Sequence, residues 1–211
     1  MEISLKVTTP DNVIQNRILK AIARHLNQRL FGIEAKIKNA SKNLLQDALN
    51  QSSETQSAIS GSLRTELGVV DAAGDLQEIF TAIVEATEVK VNKAAVRGPQ
   101  VHMSVILTAI PFDLSQFSSG MGSYTTDKGE KIDWFRWLTT LGDAVIVRQY
   151  DSVSGFPAQS RTGDKIMVKG KGWRVPPEYA GNPSDNFVTR ATDSILKELG
   201  NSIEKTIGAA L

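Results

Sequence analysis

The chain has 211 residues, 41% of them hydrophobic and 6% aromatic, and its 24 Lys and Arg against 23 Asp and Glu leave a net charge of +1. So even a balance excludes a general positive field that coats nucleic acid, and equally an acidic disordered tail, leaving only a local basic patch for any phosphate contact. The lack of cysteine excludes disulfides, thiolate nucleophiles and cysteine-ligated zinc, and no uncharged apolar run approaches the ~20 residues that span a bilayer. A soluble, unexported chain in a reducing compartment is the expectation, because the first twelve residues have neither a basic stretch nor a long apolar one.

Thr9 and Pro10 suit the start of a helix, and apolar residues follow at Ile14, Ile18, Ile22, Leu26 and Leu30. The other faces carry Arg17, Lys20, Arg24, His25 and Arg29, read as a solvated face before a partner or phosphate contact. Gly32 predicts an interruption, followed by a second helix through Ile33, Ile37, Ala40, Leu44, Ala48 and Leu49. The polar, Ser-rich run 50–61 reads as a frayed helix end or a mobile hinge. A helical turn over Leu63–Leu67 stops at Gly68, and Asp75 to Glu78 offers a capping box for a helix with Leu76, Ile79, Phe80, Ile83 and Val84 on one face.

Period-two alternation in EVKVNKAAV, a turn at Arg97-Gly98-Pro99 and a longer run VHMSVILTAIPF predict neighbouring strands. The Gly-, Ser- and Thr-rich stretch 115–131 reads as an exposed loop. Ile132 to Leu141 forms a short aromatic helix ended by Gly142, AVIVRQY a strand, and 154–186 a hairpin-and-loop region around a strand at Lys165–Lys169. Phe187, Ala191, Ile195, Leu199, Ile203 and Ile207 step by four along a terminal helix, with Val188 and Leu196 widening the stripe. The expected fold is α+β: helices at both ends packed around a small, mostly antiparallel sheet with long loops. It forms one domain over 1–211, with a helical front segment 1–55 and the helix, sheet and terminal helix in 60–211.

Constellations for chemistry are missing from the sequence. His25 lacks a histidine or carboxylate three or four positions on, and His102 has no ligand near it in sequence. Gly120-Met121-Gly122 lacks the third glycine and the strand-to-helix setting of a dinucleotide fingerprint. Lys169-Gly170-Lys171-Gly172 has no Ser or Thr after a Gly-Lys pair, so it reads as a basic hairpin tip rather than a phosphate loop. Glu78 and Glu85 make no persuasive acid–base pair, and no serine sits in a nucleophile elbow. No catalytic residue, cofactor or metal is expected.

Special residues concentrate between Asp143 and Arg190. A G-D-A-V-I-V strand, an S-R-T-G turn before I-M-V, a W-R-V-P-P-E-Y-A-G corner and D-N-F-V-T-R-A leading into the last helix follow one another there. Together with S-G-S-L-R-T-E-L-G-V at 60–69 and the helix D-L-Q-E-I-F-T-A-I-V, this order resembles virion proteins of tailed bacteriophages. The likeness is to neck or tail-completion proteins at the head–tail junction, and it covers roughly residues 60 to 195. It implies a non-catalytic structural subunit, one copy in a homo-oligomeric ring, hexameric or dodecameric, touching adjacent connector or tail proteins but no membrane. It further implies residence in the virion after assembly in the host cytoplasm. A tail terminator or a baseplate component is the alternative within that class. A cell-wall hydrolase lacks its carboxylate pair, and a nucleic-acid-binding module lacks the positive charge.

Two surfaces follow as candidates. Arg161, Lys165, Lys169, Lys171 and Arg174 share fourteen residues with one acid, Asp164, and would touch DNA phosphates or a neighbouring subunit without reading bases. Trp173, Pro176, Pro177 and Tyr179 form a stiff corner that could face a neighbour.

Overall fold

The computed structural model describes residues 10–108, 122–126, 129–155 and 158–209. The Thr9 cap and most of the 115–131 loop lie outside them. The described residues are α+β with helices at both ends, 54% helical and 20% strand. They group into two compact units. One takes its described residues from 10–41, 88–108 and 199–209, the other from 42–87 and 122–198.

Helix α1 (Asp11–Gln51) runs for 41 residues without a break at Gly32. A glycine inside a helix costs only about 1 kcal/mol, and Leu30, Ile33 and Ile37 on either side of it are buried. The buried face is not the stripe expected from a step of four. Each such step turns about 40° beyond a full turn, so the four steps from Ile14 to Leu30 wind most of the way to the opposite side. Ile18 and Ile22 are therefore exposed, whereas Ala23, Leu30, Ile33 and Ile37 are buried.

In the first unit, β1 (Glu88–Val91) pairs antiparallel with β4 (Val105–Thr108), and β2 (Ala95–Arg97) with β3 (Gln100–His102) around the expected turn at Gly98-Pro99. Between the two ladders, residues 92–94 oppose only 103 and 104. That extra residue is a bulge, and it divides each of the two expected strands. Val91, Met103, Val105, Ile203 and Ile207 pack on Leu30, Ile33 and Ile37.

The second unit holds the end of α1 and the Ser-rich run 50–61, which is no hinge. It is instead α2 (Ser53–Ser60), capped by the Ser52 hydroxyl and burying Glu54, Thr55, Ser57 and Ala58. Helix α3 (Ser62–Leu67) ends on Gly68 in the left-handed region, as expected. Helix α4 (Ala72–Ala86) buries Leu76, Ile79, Phe80 and Ile83, but its cap is Asp71, which accepts from the Gly74 amide, not Asp75. Strands β5 (Tyr124–Thr125) and β6 (Lys131–Ile132) pair, and α5 (Trp134–Thr140) follows. The long ladder is β7 (Val147–Ser154) with β8 (Lys165–Trp173). Helices α6 (Phe187–Ser194) and α7 (Leu196–Gly208) stand where one terminal helix was expected, and Leu196 beside the break is exposed rather than part of the stripe.

Among the described residues, the expected sheet is distributed over four antiparallel two-stranded ladders. An aromatic cluster centres the second unit: Phe135 meets Phe187 edge to face at 5.7 Å, and Phe187 meets Phe80 at 6.2 Å. Such pairs add of order 1 kcal/mol beyond their burial.

Candidate assembly surfaces

The five cations of the basic segment divide into two kinds. Lys165 donates from Nζ to the Glu66 carboxylate, whose other oxygen accepts from the Trp173 indole at 2.7 Å. The side chains of Lys165 and Glu66 are only 20% and 13% exposed, so this pair belongs to the packing of the unit. Arg161 lies over the Tyr124 ring, 4.1 Å from its centroid, a cation–π contact. Burial pushes the Tyr124 hydroxyl above its ordinary range while Arg161 pulls it back, and that hydroxyl donates to the Leu67 carbonyl at 2.8 Å. Lys169, Lys171 and Arg174 are exposed.

Lys169 and Lys171 do not sit at a hairpin tip. Both lysines lie within β8, four and six residues beyond the Ser154–Lys165 pair that closes the ladder. The repeated glycines serve a bulge: Arg148 faces Gly172 and Tyr150 faces Lys169, so Gln149 opposes both Gly170 and Lys171. The Asp151 carboxylate accepts from the amides of Lys171 (3.1 Å) and Gly172 (3.0 Å), and a Cβ at Gly170 would collide with it. Those two amides hold the Asp151 carboxyl below the usual carboxylate range. Glycine alternating with lysine inside an apolar strand is the signal that could have revealed the bulge.

The corner is divided as well. Trp173 is buried, its ring 5.7 Å from that of Trp137 and tilted 55° to it, and Val175 is fully buried. Pro176 accepts from the amides of Tyr179 and Ala180 to close a turn. Pro177 is exposed and Tyr179 half-buried, so any face toward a neighbour is made by these two rather than by the tryptophan.

A groove that sequence reasoning missed runs beside α6 in the same unit. Its volume is about 460 Å³, with Leu44, Ala48, Phe187, Ala191 and Ile195 along it and Asp47, Glu54 and Glu198 among its polar lining. Glu54, 5% exposed, accepts from Arg190 at 2.6 Å, and Arg190 also donates to Asp185 at 2.8 Å. Asp47 and Glu198 are exposed and have no ion-pair partner among the described residues. The Glu54–Arg190 pair joins positions 136 apart in sequence, so no local pattern could announce it.

His25 and His102 are both exposed and lie on α1 and β3. Among the described residues, no group of three or more His, Asp or Glu side chains is placed to hold a metal ion, and no helix is long and apolar enough to cross a membrane. Comparison with protein-family models, curated proteins and solved structures gives no match for this chain.

Proposed function

We propose that the protein is a non-catalytic structural subunit of a tailed-phage virion, a ring component of the neck at the head–tail junction. One observation carries the reading: the ordered series of motifs at 60–69 and 143–190 that resembles neck and tail-completion proteins. It gains support from where those motifs fall. They supply α3, β7, β8, the proline corner and the start of α6, which all belong to one compact unit with a shared aromatic core. Function in such a subunit resides in surfaces, and two candidates are Lys169 and Lys171 in β8 with Arg174 just beyond it, and exposed Pro177 with half-buried Tyr179 at the corner. A ring requires a heterologous contact whose rotation closes.

The test is the state of the purified full-length chain, by light scattering across a concentration series and by negative-stain electron microscopy of the largest species. Closed rings of one size are expected. Open filaments or a monomer at every concentration would contradict the ring.

A further inference from the structure

The two units carry opposite charge. Among the described residues the first holds ten Lys and Arg against four Asp and Glu, and the second twelve against sixteen, so the first carries a net charge of +6 and the second −4 in a chain whose total is +1. The positive side has a defined line on α1. Val13, Arg17, Lys20, Arg24 and Phe31 follow one another at steps of four, three, four and seven, which keeps them along one side of the helix over about 27 Å. All are exposed, Phe31 at 91%, and they are turned away from the face that buries Leu30, Ile33 and Ile37. None of the three cations has an ion-pair partner among the described residues.

We infer that this stripe docks on a second copy of the chain, at the groove beside α6, where Asp47 and Glu198 are the exposed carboxylates and Glu54 is already held by Arg190. The inference rests on the ring reading and names its contact. Complementary charge is the first argument: the groove offers two carboxylates with no ion-pair partner among the described residues, and the stripe offers three such cations ended by an exposed aromatic. The second argument concerns class of partner. A phosphate backbone asks for cations alone and gives no return for desolvating Val13 and Phe31, whereas a groove that sets the half-buried Leu44 and Ala48 beside its carboxylates does. Stripe and groove are different patches of one chain, so the contact is head-to-tail, the geometry that generates rings.

The test uses two full-length charge-reversed variants. One carries Arg17→Glu, Lys20→Glu and Arg24→Glu; the other carries Asp47→Lys and Glu198→Lys. Sedimentation velocity of each alone at low salt should show self-association weakened by at least about tenfold, and an equimolar mixture should recover the wild-type species, because both contacts are then complementary again. Phe31→Ser, at an exposed position, should weaken association without altering the thermal transition.

Wild-type assembly in either variant alone, or a mixture that stays monomeric while both variants show the wild-type circular dichroism, overturns this interface and leaves the ring reading standing. A wild-type chain that is itself monomeric throughout overturns both. Loss of binding to a short DNA duplex in the stripe variant with self-association intact would assign the stripe to nucleic acid and also overturn the inference.

Discussion

The side chain of Asn27 is paired with both backbone groups of Ala94: its Nδ2 donates to the Ala94 carbonyl at 2.9 Å and its Oδ1 accepts from the Ala94 amide at 2.7 Å. Ala94 lies in the bulge between β1 and β2, where the ladder itself leaves those groups without a strand partner. A helix residue thus completes the hydrogen bonding of an interrupted hairpin 67 positions away. Backbone groups left unpaired in a half-buried place are costly, which is why an amide with one donor and one acceptor suits this position.

Replacing Asn27 with Ala should destabilise the protein by about 2 kcal/mol, the cost of leaving the part-buried donor and acceptor of Ala94 unpaired. Asn27→Asp should fall between, since a carboxylate accepts from the amide but cannot donate to the carbonyl. Urea unfolding of the three proteins checks this order.

The basic segment should separate by position. Glu66→Ala leaves the Lys165 ammonium and the Trp173 indole without their shared acceptor and should cost about 3 kcal/mol. Lys169→Gln with Lys171→Gln should change stability by no more than about 0.5 kcal/mol per site, as exposed positions do. Thermal unfolding decides it, and a large loss in the lysine pair would show that the β8 cations are needed by the fold.

Gly122 should tolerate no side chain. Its φ of +67° lies in the left-handed region, its carbonyl accepts from the Phe135 amide at 3.0 Å, and an added Cβ would collide with Cβ of Phe135 and approach Ile79. Gly122→Ala should cost about 2–4 kcal/mol, combining backbone strain with overpacking. Gly98→Ala, also at positive φ but with open space around it, should cost less. Denaturant midpoints compare the two.

Acid should act on two aspartates in opposite senses. Asp151 has a folded value below its unfolded one, so its contribution is present above the unfolded value and is lost as pH falls through the folded one. Asp75 is raised above 3.8, chiefly by burial; the Trp134 side chain lowers it, and Asp71 and Glu78 raise it again. Its folded state holds the proton more tightly, so stability falls as pH rises from the unfolded value through the folded one. Asp75→Asn should therefore raise stability near neutral pH, whereas Asp151→Asn should lower it there and flatten the acid limb. Melting temperatures between pH 3 and 7, as a practical range for these carboxyls, test both signs.

What the sequence announced was local. Gly68 and Gly142 end helices, Gly98-Pro99 makes a turn, and the period of Leu76, Ile79, Phe80 and Ile83 marks a buried face, each because a few adjacent residues decide the outcome. What it hid depended on distant partners. The polar run 50–61 is helical and buries Glu54, Thr55, Ser57 and Ala58 because Glu54 finds Arg190 and because Ser52 and Thr55 satisfy backbone groups. Lys165 and Trp173 look like surface residues until Glu66 is brought between them. The exposure of Ile18 and Ile22 follows from the slow winding of a four-residue step, which a count of apolar positions does not register.

The proposed place in a ring at the junction of head and tail is measured by a cryo-electron-microscopy map of intact tailed-phage particles assembled in cells that express the chain. The account predicts density for α1 and for the β7–β8 ladder repeated in a closed ring between the portal end of the head and the start of the tail. A particle complete in head and tail with no copy of the chain at that junction would contradict it.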